Sequence, residues 1–205
     1  RNERLDEYVA LDRALENAEA AVQLDTANHV AHGVLAKTHL YRGEYERFEI
    51  EALQTVELSP NDALWLLILG NDLVYQEDFE NGLPMVAKAL ALSSSPPSWG
   101  RRGFFVDDYQ QGRYEEALEE AMAMVMEEDF RGPLLVAAAA GQLGRAHEAR
   151  QALDELRARW TRPIAEIRRE LIERHGTSPA ITDHLLEGLA KAGLEGVDPV
   201  GTGNE

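Results

Sequence analysis

The sequence predicts an all-α repeat array built from antiparallel helix pairs, and three observations carry that reading. An offset of 34 residues aligns Ala18 with Ala52 and Val86, Val22 with Val56 and Leu90, and Leu24 with Leu58 and Leu92, with small or apolar character kept at each place. Within each period, apolar residues recur at helical spacing in two stretches separated by a turn. Strand-length windows of alternating apolar and polar residues are absent, so a sheet has nothing to build on.

Taken in order, residues 3–24 read as the second helix of a first unit, 1–28, whose leading helix is incomplete. The next unit, 29–62, runs through Leu35, His39 and Leu40, turns at Arg42-Gly43-Glu44, and returns through Phe48, Ala52, Leu53 and Val56. Ser59-Pro60-Asn61-Asp62 closes it, since proline stops one helix and Asn or Asp caps the next. Unit 63–96 leads with Leu66, Leu69, Gly70 and Leu73 and continues through Gly82 and Val86. Pro84 is expected to delay the start of its second helix, because proline is tolerated only in the first turn. After the long joint Ser93-Ser94-Ser95-Pro96-Pro97, unit 98–129 is clearest at Tyr114, Ala117, Leu118 and Ala121. Unit 130–156 follows with Ala149 and Leu153. Gly43, Gly112 and Gly144 supply the left-handed geometry that ends a helix.

Beyond Leu156 the period is lost. Residues 157–194 hold two more helices, one starting at Arg162-Pro163 and reaching Arg174, the other running from Ser178-Pro179 to Lys191-Ala192-Gly193. Both should cap the apolar face of the last repeat. Residues 195–205, glycine-rich and polar, read as a frayed tail.

These units resemble the tetratricopeptide repeat family, whose pattern runs W-x2-L-G-x2-Y, then A-x3-F, then P. His32, Leu35, Ala36 and His39 fall on the first half of it and Phe48, Ala52 and Pro60 on the second. Leu66, Leu69, Gly70 and Leu73, then Gly82, Val86 and Ser94, do the same one period on, while Trp65 and Trp99 stand early for the family's opening aromatic. The resemblance implies a right-handed superhelix of roughly four to five helix pairs with C-terminal capping helices. It also implies a scaffold that binds a protein or peptide and performs no catalysis. The closing stretch from Leu185 through Gly188 to Leu194 is similar to the end of repeat regions found behind nucleotide cyclase, kinase or transcription-regulator domains in bacteria. With a start at Arg1 instead of methionine, that likeness implies a piece of a bacterial signalling or regulatory protein whose effector domain lies upstream. Two other readings are the non-catalytic C-terminal region of an enzyme such as a nucleotide cyclase, and a module that associates with a second copy of itself.

Composition narrows the partners. A 44% hydrophobic chain of 205 residues can bury a continuous core without staples, and the lack of cysteine removes disulfides, thiolate metal sites and a cysteine nucleophile. Acidic residues outnumber basic ones 37 to 20, and the net charge of −17 repels phosphate backbones and anionic headgroups. Nucleic acid and membrane are therefore not expected as partners. The longest apolar run, 63–69, is too short to span a bilayer, and no signal peptide is recognisable, so a cytoplasmic location is expected. Charge is unevenly spread: Glu115, Glu116, Glu119, Glu120, Glu127, Glu128 and Asp129 crowd residues 114–129, which hold no lysine or arginine, whereas residues 145–174 hold eight arginines against six acids.

No catalytic constellation emerges, and no cofactor or metal is expected. His32 and His39 lie two helical turns apart, about 10.5 Å of rise, too far to share an ion unaided, and both occupy packing places of the repeat. Ser93, Ser94 and Ser95 lack a nucleophile elbow, and neither phosphate-binding glycine motif is present. Asp107-Asp108 and Glu127-Glu128-Asp129 have no calcium-loop spacing and read as solvated faces. What remains is the concave face formed by the first helix of each pair, for which the register nominates Lys37, Tyr41, Leu67, Asn71, Tyr75, Arg102 and Tyr109. The tyrosines, spaced at 34, serve equally well as packing between helices.

Overall fold

The computed structural model describes residues 2–124 and 129–197, with side chains from residue 9 onward. Its regular structure is entirely helical among these residues. The helices are α1 (Asn2–Leu24), α2 (His29–Tyr41), α3 (Tyr45–Leu58), α4 (Ala63–Tyr75), α5 (Phe79–Leu92), α6 (Arg102–Gln110), α7 (Tyr114–Ala123), α8 (Arg131–Gln142), α9 (Ala146–Arg159), α10 (Ile167–Arg169) and α11 (Pro179–Lys191). A tight turn at Ser98–Arg101 leads into α6, and α10 runs on into a wide π-helical turn, Glu170–Arg174. Four consecutive hairpins result, α2 on α3, α4 on α5, α6 on α7 and α8 on α9, with α1 packed against α2. None of the described helices is long and apolar enough to cross a membrane.

One chemical device closes the first helix of every hairpin. Gly43, Gly112 and Gly144 adopt φ of 72°, 74° and 66°. In each case the following residue donates its N–H five residues back, Glu44 to His39, Arg113 to Asp108 and Arg145 to Ala140, each at 2.9 Å. Asp78 bonds Leu73 in the same way at 2.9 Å, but there the left-handed residue is Glu77, at φ 69°. A non-glycine residue in this region carries strain of about 1 kcal/mol. Glu77→Gly is therefore expected to raise the thermal midpoint, and a lower midpoint would mean that the entropy of an added glycine outweighs the relief.

Helix starts are capped where the sequence places Asn, Asp or Ser. Asn28 accepts from the N–H groups of Val30 and Ala31, Asp62 from those of Leu64 and Trp65, and Ser178 from that of Ile181. The expectation for Pro84 fails. Asp78 caps α5 through the Asn81 N–H, so the helix starts at Phe79 and holds Pro84 in its interior. The carbonyl that loses its partner there belongs to Glu80, which is exposed and can be satisfied by solvent.

Two apolar clusters form the core, one between α2 and α5, the other running from Val74 and Phe105 through α8 and α9 to α11. Residues 137–140 are four consecutive buried alanines. They let α11 settle directly on α8, with Gly141 facing the Gly188 carbonyl. The chain ahead of α11 reaches further than the last hairpin. The Ser178 N–H donates to the Tyr75 carbonyl at 2.8 Å, Gln76 Nε2 donates to the Gly176 carbonyl, and Gly176 sits against Leu40. Residues 171–178 thus cross to α2 and α4.

Candidate functional site

The inner helices and this crossing segment enclose a cavity of about 320 Å³. Lys37 and Tyr41 enter it from α2, Asp72 and Tyr75 from α4, Arg102 from α6, and Arg131, Leu134 and Leu135 from α8. Leu171, Arg174, His175 and Thr177 close it from the crossing segment, and Leu185 from α11. Four of the seven residues nominated from the register, Lys37, Tyr41, Tyr75 and Arg102, therefore meet in one place. A roomier hollow of about 460 Å³ adjoins it between α1, the α2–α3 turn and Ile172, but offers no buried polar atom lacking a partner.

Most of the charge in the cavity is answered internally. Lys37 Nζ donates to Asp72 Oδ2 at 2.6 Å and lies 4.7 Å from the Tyr41 ring centre. Burial alone would lower this ammonium, but Asp72 and Tyr41 outweigh it and hold Lys37 above the ordinary lysine range. Arg131 Nε donates at 2.9 Å to both oxygens of Asp129. Burial would raise that carboxyl, yet the hydrogen bonds and charge of Arg131 leave it below the usual range. Arg174 lies 3.6 Å from Glu170, which also meets Arg162 at 2.7 Å. Burial holds the Tyr75 hydroxyl above the usual phenol range, hence neutral.

Arg102 differs from these cations. Its guanidinium stacks 5.1 Å from the Trp99 ring and 5.9 Å from the Tyr75 ring, and its Nε is buried with no hydrogen-bond partner among the described residues. His175 Nδ1 accepts from Arg131 Nη1 at 3.1 Å, which fixes the neutral tautomer with the proton on Nε2. That Nε2 has no hydrogen-bond partner among the described residues, the Glu170 carboxylate standing 3.7 Å off. Burial, reinforced by Arg131, lowers His175 to about 4. Thr177 Oγ1 is a third buried atom without a partner, in a residue only 1% exposed.

The remaining nominees are not groove residues. Leu67 is buried against Gly100. Asn71, fully buried, is a staple: its Nδ2 donates to the Leu67 carbonyl at 2.7 Å and the Gly100 carbonyl at 3.2 Å, and its Oδ1 accepts from the Gly103 N–H at 2.6 Å. Its side chain joins α4 to the start of α6 and has nothing left for a ligand. Asn71→Ala strands the Gly100 and Gly103 backbone groups and is expected to cost about 2 kcal/mol, read as a lower urea midpoint. Tyr109 is buried too, stacked on Phe105 at 5.4 Å, donating to the His184 carbonyl at 3.1 Å and accepting from Gln142 at 3.3 Å. Asn71 and Tyr109 share the register of Lys37 and Tyr75 but are sealed off by what packs on them, Gly100 and Gly103 on Asn71 and α11 on Tyr109, while Gly100 covers Leu67.

The three histidines of α2 each hold a separate carboxylate. His29 meets Asp62 at 3.1 Å, His32 meets Glu51 at 2.6 Å and His39 meets Glu44 at 2.7 Å. No group of three metal-binding side chains forms among the described residues. Asp107 and Asp108 are both engaged by Arg113, whereas Glu127 and Glu128 lie outside the described residues. The register did not reach Arg131, His175 and Thr177, since all three stand where the 34-residue period has slipped or ended. No protein-family model and no curated protein matches the chain.

Proposed function

We propose that the chain is a tetratricopeptide-like interaction module of a signalling or regulatory protein, which grips a partner protein along the inner stripe of α2 and α4. One observation carries this reading. Val30 and Val34 are each 45% exposed and Leu64 is 56% exposed. Val30 and Val34 share a helical stripe with Lys37 and Tyr41, while Leu64 stands one period after Val30. Single exposed apolar residues are ordinary, but equivalent ones on neighbouring repeats form a patch with a use. The four identical hairpin closures support the repeat reading, because a repeat presents equivalent positions side by side.

The partner's chemistry follows from the surroundings. A net charge of −17 and the carboxylate of Asp62, which caps α4 through the Leu64 N–H, favour an apolar segment edged with lysine or arginine. Val34→Asp with Leu64→Asp tests this, because both sites are exposed and each change should alter stability by within about 0.5 kcal/mol. The double variant is expected to lose the partner at an unchanged melting point. Retention of the partner would refute the stripe, and light scattering that finds a dimer dissociated by the same changes would make the partner a second copy.

A further inference from the structure

We propose that the cavity between α2, α4, α6, α8 and residues 171–177 is a binding site for a small monocarboxylic acid with a short apolar body. The site lies at the Lys37 and Tyr41 end of the partner-binding stripe, and its ligand is independent of the partner.

Arg102 Nε–H, His175 Nε2–H and the Thr177 hydroxyl all belong to residues that line this cavity, Arg102 from α6 and the other two from the crossing segment, all are buried, and none has a partner among the described residues. Buried polar groups are almost always satisfied, and leaving three together is costly. Two are N–H donors and the hydroxyl can donate as well, so the complement is a group that only accepts: an oxyanion.

Charge selects which oxyanion. Asp72 answers Lys37, Asp129 answers Arg131, and Glu170 stands beside Arg174. Arg102 has aromatic rings beside it and forms no ion pair among the described residues, so the cavity there holds about one positive charge in excess. The neutral His175 supplies a donor and no charge. A single carboxylate balances this, whereas a phosphate dianion would bring a second negative charge toward Asp72 and Asp129 uncompensated. Size and lining give the rest of the ligand. About 320 Å³ is at the small end of ligand sites, and Leu134, Leu135 and Leu185 add apolar lining to it.

The test uses the full 205-residue chain with benzoate, hexanoate, the uncharged benzamide and inorganic phosphate at matched ionic strength, followed by calorimetry and thermal shift. Saturable binding of benzoate or hexanoate, weaker binding of benzamide and phosphate, and a loss of at least about tenfold in Arg102→Gln are expected. Arg102→Lys, which keeps the charge, should retain part of the affinity, and Thr177→Val should reduce it several-fold with Arg102 intact. The melting point of each variant without ligand separates lost binding from lost folding. Equal binding of benzamide, tighter binding of phosphate, an Arg102→Gln variant that binds unchanged, or no saturation by either acid up to tens of millimolar would each overturn the assignment. So would a short glutamate-containing peptide that binds where the small acids do not, which would make the cavity part of a protein interface.

Discussion

Gly141→Ala is expected to destabilise the chain by about 3 kcal/mol, although alanine is the better helix former. Inside α8 the exchange should gain about 1 kcal/mol in helix propensity. Position 141, however, is where α11 crosses. A methyl carbon there would stand 2.1 Å from the Gly188 carbonyl oxygen and 2.7 Å from the Ala192 nitrogen, both of them backbone atoms. No rotamer change relieves such contacts, so α11 must lift away from α8, and the steric cost exceeds the propensity gain. Residues 171–178 are tied to α11, so the disturbance should extend to the cavity. For a chain of this size, the thermal midpoint should drop by about 6–12 °C. Gly144→Ala should also destabilise, for a different reason: no atom lies within 4 Å of an added methyl, but φ is 66°. A neutral Gly141→Ala would mean that α8 and α11 are further apart than described.

The second large effect is acid sensitivity centred on His175. The unfolded chain binds a proton at this side chain near pH 6.5, while the folded chain refuses it until about pH 4, because burial and Arg131 oppose a second charge. Since the folded value is depressed, the unfolded state binds more protons between these limits and stability falls as pH falls. The loss builds up from pH 6.5 and levels off near pH 4, reaching about 3 kcal/mol. Asp129 adds a further loss at lower pH, where protonation removes its bond to Arg131. His175→Asn keeps an acceptor for Arg131 and removes the titration, so its stability should vary much less between pH 6.5 and 4, as read by urea unfolding at a series of pH values. An acid limb of the same steepness in the variant would place the sensitive group elsewhere.

Much of the fold was legible because local chemistry dictates it. Apolar spacing located the hairpins, Gly43, Gly112 and Gly144 marked their turns, and Asp62 and Ser178 marked helix starts. Register also found the side chains that repeat, Tyr41 and Tyr75 with Lys37 and Arg102 nearby. It could not tell Asn71 from a ligand-reading residue, since the difference lies in whether Gly100 and Gly103 approach closely enough to consume the amide. Nor could it foresee the crossing of residues 171–178, which rests on contacts such as Gln76 with Gly176, a hundred residues apart. A chain segment of that kind leaves no period, and the cavity's donors His175 and Thr177 came with it.

The central claim, that the inner stripe of α2 and α4 is a protein-binding surface, is tested most directly by photo-crosslinking from defined positions. A photoreactive residue would replace Val34 or Leu64 on the stripe, or Ile50, which is 64% exposed on α3. Each chain would be irradiated in extract of its own cell, and the adducts identified by mass spectrometry. The same partner should be captured from positions 34 and 64 and not from 50, through an apolar segment flanked by basic residues. It should be captured less as salt is raised, because the basic flank meets a screened acidic surface. Adducts formed equally from position 50, or none from positions 34 and 64 under conditions where position 50 reacts, would contradict it.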